Sequence, residues 1–264
     1  MDSKIRWSLP DGVDELLPPK ALEVETLRRK LIDNYIASGY ELIIPPILEL
    51  SETIGGEAHE EIKSHAFSFK DNLTGKDLSI RPDISEQASR IDAFRIKSND
   101  IVKLCYAGEV VKSKSSKVLR SRTTIQVGAE IFGDSSLQAE QESVNLMLQS
   151  LDIAEVNNVT LSLGHAGFTA SVLNSFKHLE KEDLLSLEVA LSKKSKSDIE
   201  RIIPDSNKNK ESLLYLCDMY GNIDVIEEAR NLFSDIETTN NYLDHLQNMI
   251  CLLYTSDAAD EVQC

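Results

Sequence analysis

No apolar run in this sequence approaches the ~20 residues that a membrane-spanning helix needs, which argues against a helical membrane protein. Residues 1–7 contain no apolar stretch of the kind found in secretory signals, so no such signal is expected there. Cysteine is scarce: Cys105, Cys217, Cys251 and Cys264 form no CxxC pair and have no close histidine partner. That excludes a disulfide framework and a zinc ribbon, and it fits a reducing cytoplasm. His59, His65, His165, His178 and His245 show no metal-ligand spacing, and no metal or other cofactor is expected. Bases are also in short supply, 28 Lys and Arg against 44 Asp and Glu, a net charge of −16. This disfavours non-specific nucleic-acid binding, although a local basic face can still bind RNA on an acidic protein. Repeats and low-complexity tracts are missing. What is present is 41 % hydrophobic residues in 264, enough for one large domain or for a core plus a smaller one.

The end of the chain is unusual. Cys251 through Asp260 resembles, over ten consecutive codons, the translation of a transposase-type sequencing adapter (tgt-ctc-tta-tac-aca-tct-gac-gct-gcc-gac). Residues 251–264 are therefore expected to be an artefact, with the native chain cut at Ile250. Leaving them out removes Asp257, Asp260 and Glu261 and no base, which takes the charge from −16 to −13. Only Cys105 and Cys217 then remain.

Along the chain, Val24, Leu27, Leu31 and Tyr35 recur at i, i+3, i+7 and i+11, which predicts a helix over residues 21–38 with Gly39 at its C-terminal cap. An apolar strand is expected over 40–49, placed at a sheet edge or strand end by Pro45 and Pro46. Residues 53–65 read as a loop or short helix. Residues 66–70 and 77–80 flank a turn signal, Asp71-Asn72-Leu73-Thr74-Gly75-Lys76, and read as a hairpin. A short helix over 85–94, long strands over 103–111 and 123–132, a helix over 136–151 and a strand over 159–163 follow. After about Gly167 the strand signals stop, and helices are expected over 183–191, 197–203, 212–220, 224–233 and 239–250. The order implies an α+β fold, a largely antiparallel sheet flanked by helices and followed by a helical insertion.

Three segments, in order and at fitting spacing, carry a resemblance to a known family. Gly39-Tyr40-Glu41-Leu42-Ile43-Ile44-Pro45-Pro46-Ile47-Leu48-Glu49 resembles motif 1 of class II aminoacyl-tRNA synthetases, which builds a dimer interface. Ile80-Arg81-Pro82-Asp83-Ile84-Ser85 resembles a histidyl-tRNA synthetase segment, and residues 104–108 through 126–133 resemble its motif 2. The finer match is to the regulatory subunits of ATP phosphoribosyltransferase, over Arg81 to Ala93, Gln126 to Gly133 and Leu161 to His165. The resemblance implies a class II synthetase-like core over 1–166, incomplete at its C-terminus, and a helical insertion over 167–250.

It also implies a chemistry. In motif 2 an arginine holds the α-phosphate of ATP and a glutamate two residues later lies near the adenine. Here those positions are Lys112 and Lys114. Lysine lacks the bidentate fork of arginine, and lysine for glutamate reverses the charge, so adenylation is expected to be lost. Lys112, Lys114, Lys117, Arg120 and Arg122 then form either a solvated loop or a partner surface. The amino-acid pocket keeps its donors and acceptors. Asp83, Ser85 and Gln126 stand where the family binds the ammonium of histidine, and Glu130 where a carboxylate meets the imidazole. Taken without the resemblance, Asp83 reads as a helix cap and Glu130 as an exposed strand residue. Gln126 and Glu130 share one strand face because their spacing is even. Tyr106 reads as pocket wall or core, and His165 as a structural loop residue.

The expected function is that of a non-catalytic subunit that binds L-histidine as effector. Its expected partners are the short-form ATP phosphoribosyltransferase catalytic subunit and, through motif 1, a second copy of itself. The competing expectation is a divergent histidyl-tRNA synthetase, for which Arg-x-Glu in place of Lys112-Ser113-Lys114 would have spoken.

Overall fold

The computed structural model describes residues 8–54, 60–115, 120–176, 179–204 and 210–257. The chain divides into two compact units, Met1–Asn158 and Val159–Cys264.

The first unit begins with helix α1 (Lys20–Ala37), whose buried Leu31, Ile32 and Tyr35 form its inner stripe. Gly39 ends it at φ +89°, and the Tyr40 N–H reaches back to the Tyr35 carbonyl at 3.0 Å, closing the wide loop that a left-handed C-terminal cap makes. The expected single strand over 40–49 is instead two short ones. Strand β1 (Glu41–Leu42) pairs in parallel with the later strand Val102–Val111, and β2 (Leu48–Leu50) pairs antiparallel with Asp77–Ile80 in another sheet. Pro45 and Pro46 lie between them; with no N–H to donate they cannot continue a ladder, and the chain passes from one sheet to the other there.

After a 3₁₀ turn (Ser51–Thr53) and a short helix α2 (Glu60–Ser64), the hairpin forms as read, β3 (Phe67–Lys70) against β4 (Asp77–Ile80) with Lys70 opposite Asp77. Gly75 supplies the positive φ, and the Asp71 carboxylate accepts the Leu73 and Thr74 N–H groups at 3.1 Å. Helix α3 (Ser85–Ile91) widens into a π-helical turn over Asp92–Ile96. Strands β5 (Val102–Val111) and β6 (Thr123–Phe132) pair along their whole length, and the sheets run β1-β5-β6 and β2-β4-β3. Ser136 caps helix α4 (Leu137–Ile153) by accepting the Ala139 N–H at 3.2 Å. One face of β5-β6 packs Cys105, Val127, Ala129 and Ile131 against Ile32, Tyr35, Tyr40 and Leu146. On the other face Tyr106 packs in a cluster with Ile84 and Ala88 from the start of α3.

The expected strand over 159–163 is not one: among the described residues nothing pairs with it. Alternating side chains qualify a segment for a ladder but do not provide the partner backbone. The second unit is helical, with α5 (Ala166–Asn174), α6 (Lys181–Ser192), α7 (Lys196–Ile202), α8 (Lys210–Leu216), α9 (Asp224–Leu232) and α10 (Glu237–Asp257). Phe176, Leu187, Ile199, Ile203 and Leu213 are fully buried at its centre. The sequence did not single out α5, whose N-terminal cap is His165, an uncommon capping residue; its Nδ1 accepts the Gly167 N–H at 3.0 Å. A side chain at 167 would meet the Tyr242 ring at 2.6 Å, so glycine is required there. Of the adapter-like residues, 251–257 continue α10 and 258–264 lie outside the described residues. No described helix is long and apolar enough to cross a membrane.

Candidate functional site

The residues singled out from the sequence gather on the α3 side of the β5-β6 pair. Antiparallel register sets Gln126 opposite Gly108, Gly128 opposite Tyr106 and Glu130 opposite Leu104, so Gln126, Gly128 and Glu130 project to one face. Against that face lies the β4-to-α3 connection, which carries Asp83 and Ser85.

Gln126 joins the two elements. Its side-chain oxygen accepts the Ile84 N–H at 2.9 Å, which turns its amide nitrogen toward both carboxylate oxygens of Asp83 at 3.4 Å. Asp83 also accepts the Ser85 N–H at 2.7 Å, so it serves the first residue of α3 as a local turn while keeping lone pairs free for a ligand. The residue at the cap position of α3 is Ile84, so Asp83 acts one step before the helix as a local turn rather than as its cap.

Tyr106 is the residue the sequence undervalued. Its side chain is 2 % exposed, and its hydroxyl lies 2.9 Å from Ser85 Oγ and 3.0 Å from Glu130 Oε1. Burial raises the phenol well above its ordinary pKa; the Ser85 hydrogen bond works against this, and the Glu130 carboxylate adds to the rise. The ring can come this close to β6 because position 128 is glycine: a Cβ there would approach the hydroxyl to 2.5 Å. A glycine inside a strand, between two candidate ligand residues, is the sequence signal that could have pointed to this close approach.

Behind the site, Arg81 is a buried clamp. Its Nε donates to the Glu109 carbonyl at 2.8 Å and its Nη1 to the Pro45 carbonyl at 2.7 Å and to Gln87 Oε1 at 3.3 Å. Gln87 Nε2 in turn donates to the Pro46 carbonyl at 2.8 Å. The proline segment that leaves one sheet is thereby tied to the strand and helix of the site. Burial pulls the Arg81 pKa down, with Glu49 and Glu109 opposing. Gly108 makes room for the guanidinium, since any Cβ there would collide with Nη2.

The loop after β5 is a different environment. Lys112 and Lys114 are exposed, and Lys117 lies outside the described residues. Arg122 is not part of a freely solvated basic loop. Its guanidinium lies 4.6 Å over the Phe67 ring, and its Nη1 donates to the Asp11 carbonyl at 3.2 Å. His165 belongs to the second unit, where it caps α5 and packs on the rings of Tyr242 and His245.

Comparison with known proteins agrees with this architecture. The family model described as histidyl-tRNA synthetase matches residues 12–264. An ATP phosphoribosyltransferase regulatory subunit of Cellvibrio japonicus is 35 % identical over 252 residues, covering 94 % of this chain and 63 % of that protein. The one of Teredinibacter turnerae is 36 % identical over 261 residues, covering 98 % and 64 %. The chain therefore spans less than two thirds of the length of these curated relatives. Among solved structures, a protein of Bacillus halodurans described as an ATP phosphoribosyltransferase regulatory subunit/histidyl-tRNA synthetase superposes with a TM-score of 0.86. It is 23 % identical, and the match covers 98 % of this chain and 67 % of that one. A Nostoc histidyl-tRNA synthetase gives a TM-score of 0.74 at 13 % identity, covering 96 % and 59 %. At these identities the two structures speak for the fold alone.

Proposed function

The chain belongs to the histidyl-tRNA synthetase family, and on that premise we propose that the whole protein is a non-catalytic regulatory subunit of ATP phosphoribosyltransferase. It would be needed for the first step of histidine biosynthesis and would pass histidine feedback to a short-form catalytic subunit. The identity of 35 % with a curated regulatory subunit, over 94 % of this chain, carries the reading. In this reading residues 1–166 form the synthetase-like core and 167–250 the helical insertion.

The loop after β5 supports a non-catalytic role. Lys112 and Lys114 replace the two groups that would hold ATP, and both are exposed. In-line adenylation depends on fixed geometry at the phosphate, which an exposed, single-point ammonium does not provide. The full-length protein is expected to show no histidine-dependent exchange of pyrophosphate into ATP. Exchange above background would instead make it a divergent histidyl-tRNA synthetase.

Histidine is assigned to the face between α3 and β6. Its ammonium would meet Asp83, Ser85 and Gln126, and its imidazole Glu130. Feedback requires that one assembly state bind histidine better than another. Self-association is assigned to the motif 1 region, where Leu42, Ile44, Ile47 and Leu48 are exposed, Ile44 by 87 %. Ile44→Asp in the full-length protein is expected to shift its mass by light scattering toward the monomer. An unchanged mass would place the interface elsewhere.

A further inference from the structure

Tyr106 bridges the two ends of the proposed pocket, and the way it is held has a consequence for what the pocket can accept. An ionised carboxylate only accepts hydrogen bonds, so in the 3.0 Å contact with Glu130 the phenol must be the donor. A phenol has one proton. Having given it to Glu130, its oxygen can only accept in the 2.9 Å contact with Ser85. The Ser85 hydroxyl is then the donor to Tyr106, and Ser85 has no proton left for a ligand. The other polar groups leave this direction intact: Asp83 is an acceptor, and the Ser85 N–H is spent on it at 2.7 Å.

We propose that Tyr106 is a positioning residue that sets the hydrogen-bond polarity of the pocket, making Ser85 an obligate acceptor and so selecting ligands that carry an ammonium group. Asp83, Ser85 and Glu130 then offer only lone pairs, a face that suits a cationic amine at one end and a protonated imidazole at the other. A ligand of the same shape without the amine would leave the remaining lone pairs of Asp83 and Ser85 desolvated without a donor. Gly128 belongs to the same device, because only glycine lets the phenol cross β6 and touch Ser85 and Glu130 together. The inference rests on the reading of this face as a histidine site.

The test uses the full-length protein and three probes, histidine, histamine and imidazolepropionate, with binding measured by calorimetry. The parent is expected to bind the two amines and to discriminate against imidazolepropionate. Tyr106→Phe keeps the ring but frees the Ser85 proton, and it is expected to shrink the ratio of histidine to imidazolepropionate affinity by about tenfold. Ser85→Ala removes the same acceptor without disturbing the buried ring, and it is expected to shrink the ratio by a similar factor. It also keeps the inference testable if the phenylalanine variant does not fold. Because both act on one acceptor, the double variant is expected to be no worse in this ratio than Ser85→Ala alone. A ratio unchanged in the single variants, or losses that add in the double one, would overturn the role of Tyr106 while leaving the pocket in place. A parent that binds neither amine would overturn the histidine site itself, and the polarity argument with it.

Discussion

If the protein is the regulatory subunit proposed above, replacing Glu130 by alanine in the full-length protein, assembled with a short-form catalytic subunit, is expected to weaken inhibition by histidine by about one to two orders of magnitude. Glu130 lies in the interior of β6, and its carboxylate is held by the Tyr106 hydroxyl at 3.0 Å. Removing it takes away the proposed charged partner of the imidazole, and hydrogen bonds to charged groups are worth roughly 1.5–3 kcal/mol. The Tyr106 proton would be left without its acceptor in a buried position, which adds to the cost. Asp83→Asn is expected to act in the same direction through the ammonium, which separates a pocket from the effect of one residue. Assembly is expected to persist, because the exposed motif 1 residues lie on another part of the fold. The measurement is a histidine titration of each reconstituted enzyme against its own uninhibited rate, with complex formation followed by light scattering. If both variants stay as sensitive as the parent, histidine acts elsewhere, the interface with the catalytic subunit being the first place to look.

Arg81→Ala is expected to be the most damaging single change to the stability of the first unit. The guanidinium is 7 % exposed and serves the carbonyls of Glu109 and Pro45 and the Gln87 side chain. Alanine would leave the buried Pro45 carbonyl and Gln87 side chain without this donor and would open a void beside Gly108, a combined loss of about 3–5 kcal/mol. In a chain of this size that corresponds to a fall in Tm on the order of 10 °C. Arg81→Lys is expected to recover only part of the loss, since an ammonium cannot reach a strand carbonyl, the proline segment and Gln87 in one plane. A denaturation midpoint for the alanine variant within about 1 kcal/mol of the parent would show that water replaces the clamp. The two changes are distinguishable: Arg81→Ala is expected to lower stability first, whereas Glu130→Ala is expected to change the response to histidine.

Much of this molecule is legible in its sequence. The stripe Val24, Leu27, Leu31 and Tyr35 with Gly39 behind it fixed α1 and its end, and the turn signal at Asp71–Lys76 fixed the β3-β4 hairpin, because both are written in local backbone preferences. The even spacing of Gln126 and Glu130 put them on one strand face, since strand side chains alternate whatever the surroundings. The similarity of the Arg81–Ser85 and Gln126–Gly133 segments to one family supplied what spacing could not, the chemical identity of a candidate pocket. Less local features were misread. The strand expected over 159–163 has no partner among the described residues, and the one expected over 40–49 is divided between two sheets at Pro45 and Pro46. Strands are decided by what lies beside them, and a single segment does not carry that information. Arg81 read only as part of a motif, and Tyr106 as wall or core. Sequence alone determined most of the helices, α5 excepted, the hairpin, the shared strand face and the family. Only the tertiary structure decided that Arg81 holds the site's backbone and that Tyr106 links Ser85 to Glu130, because those hydrogen bonds join residues 21 to 36 positions apart whose meeting depends on the packing of separate elements.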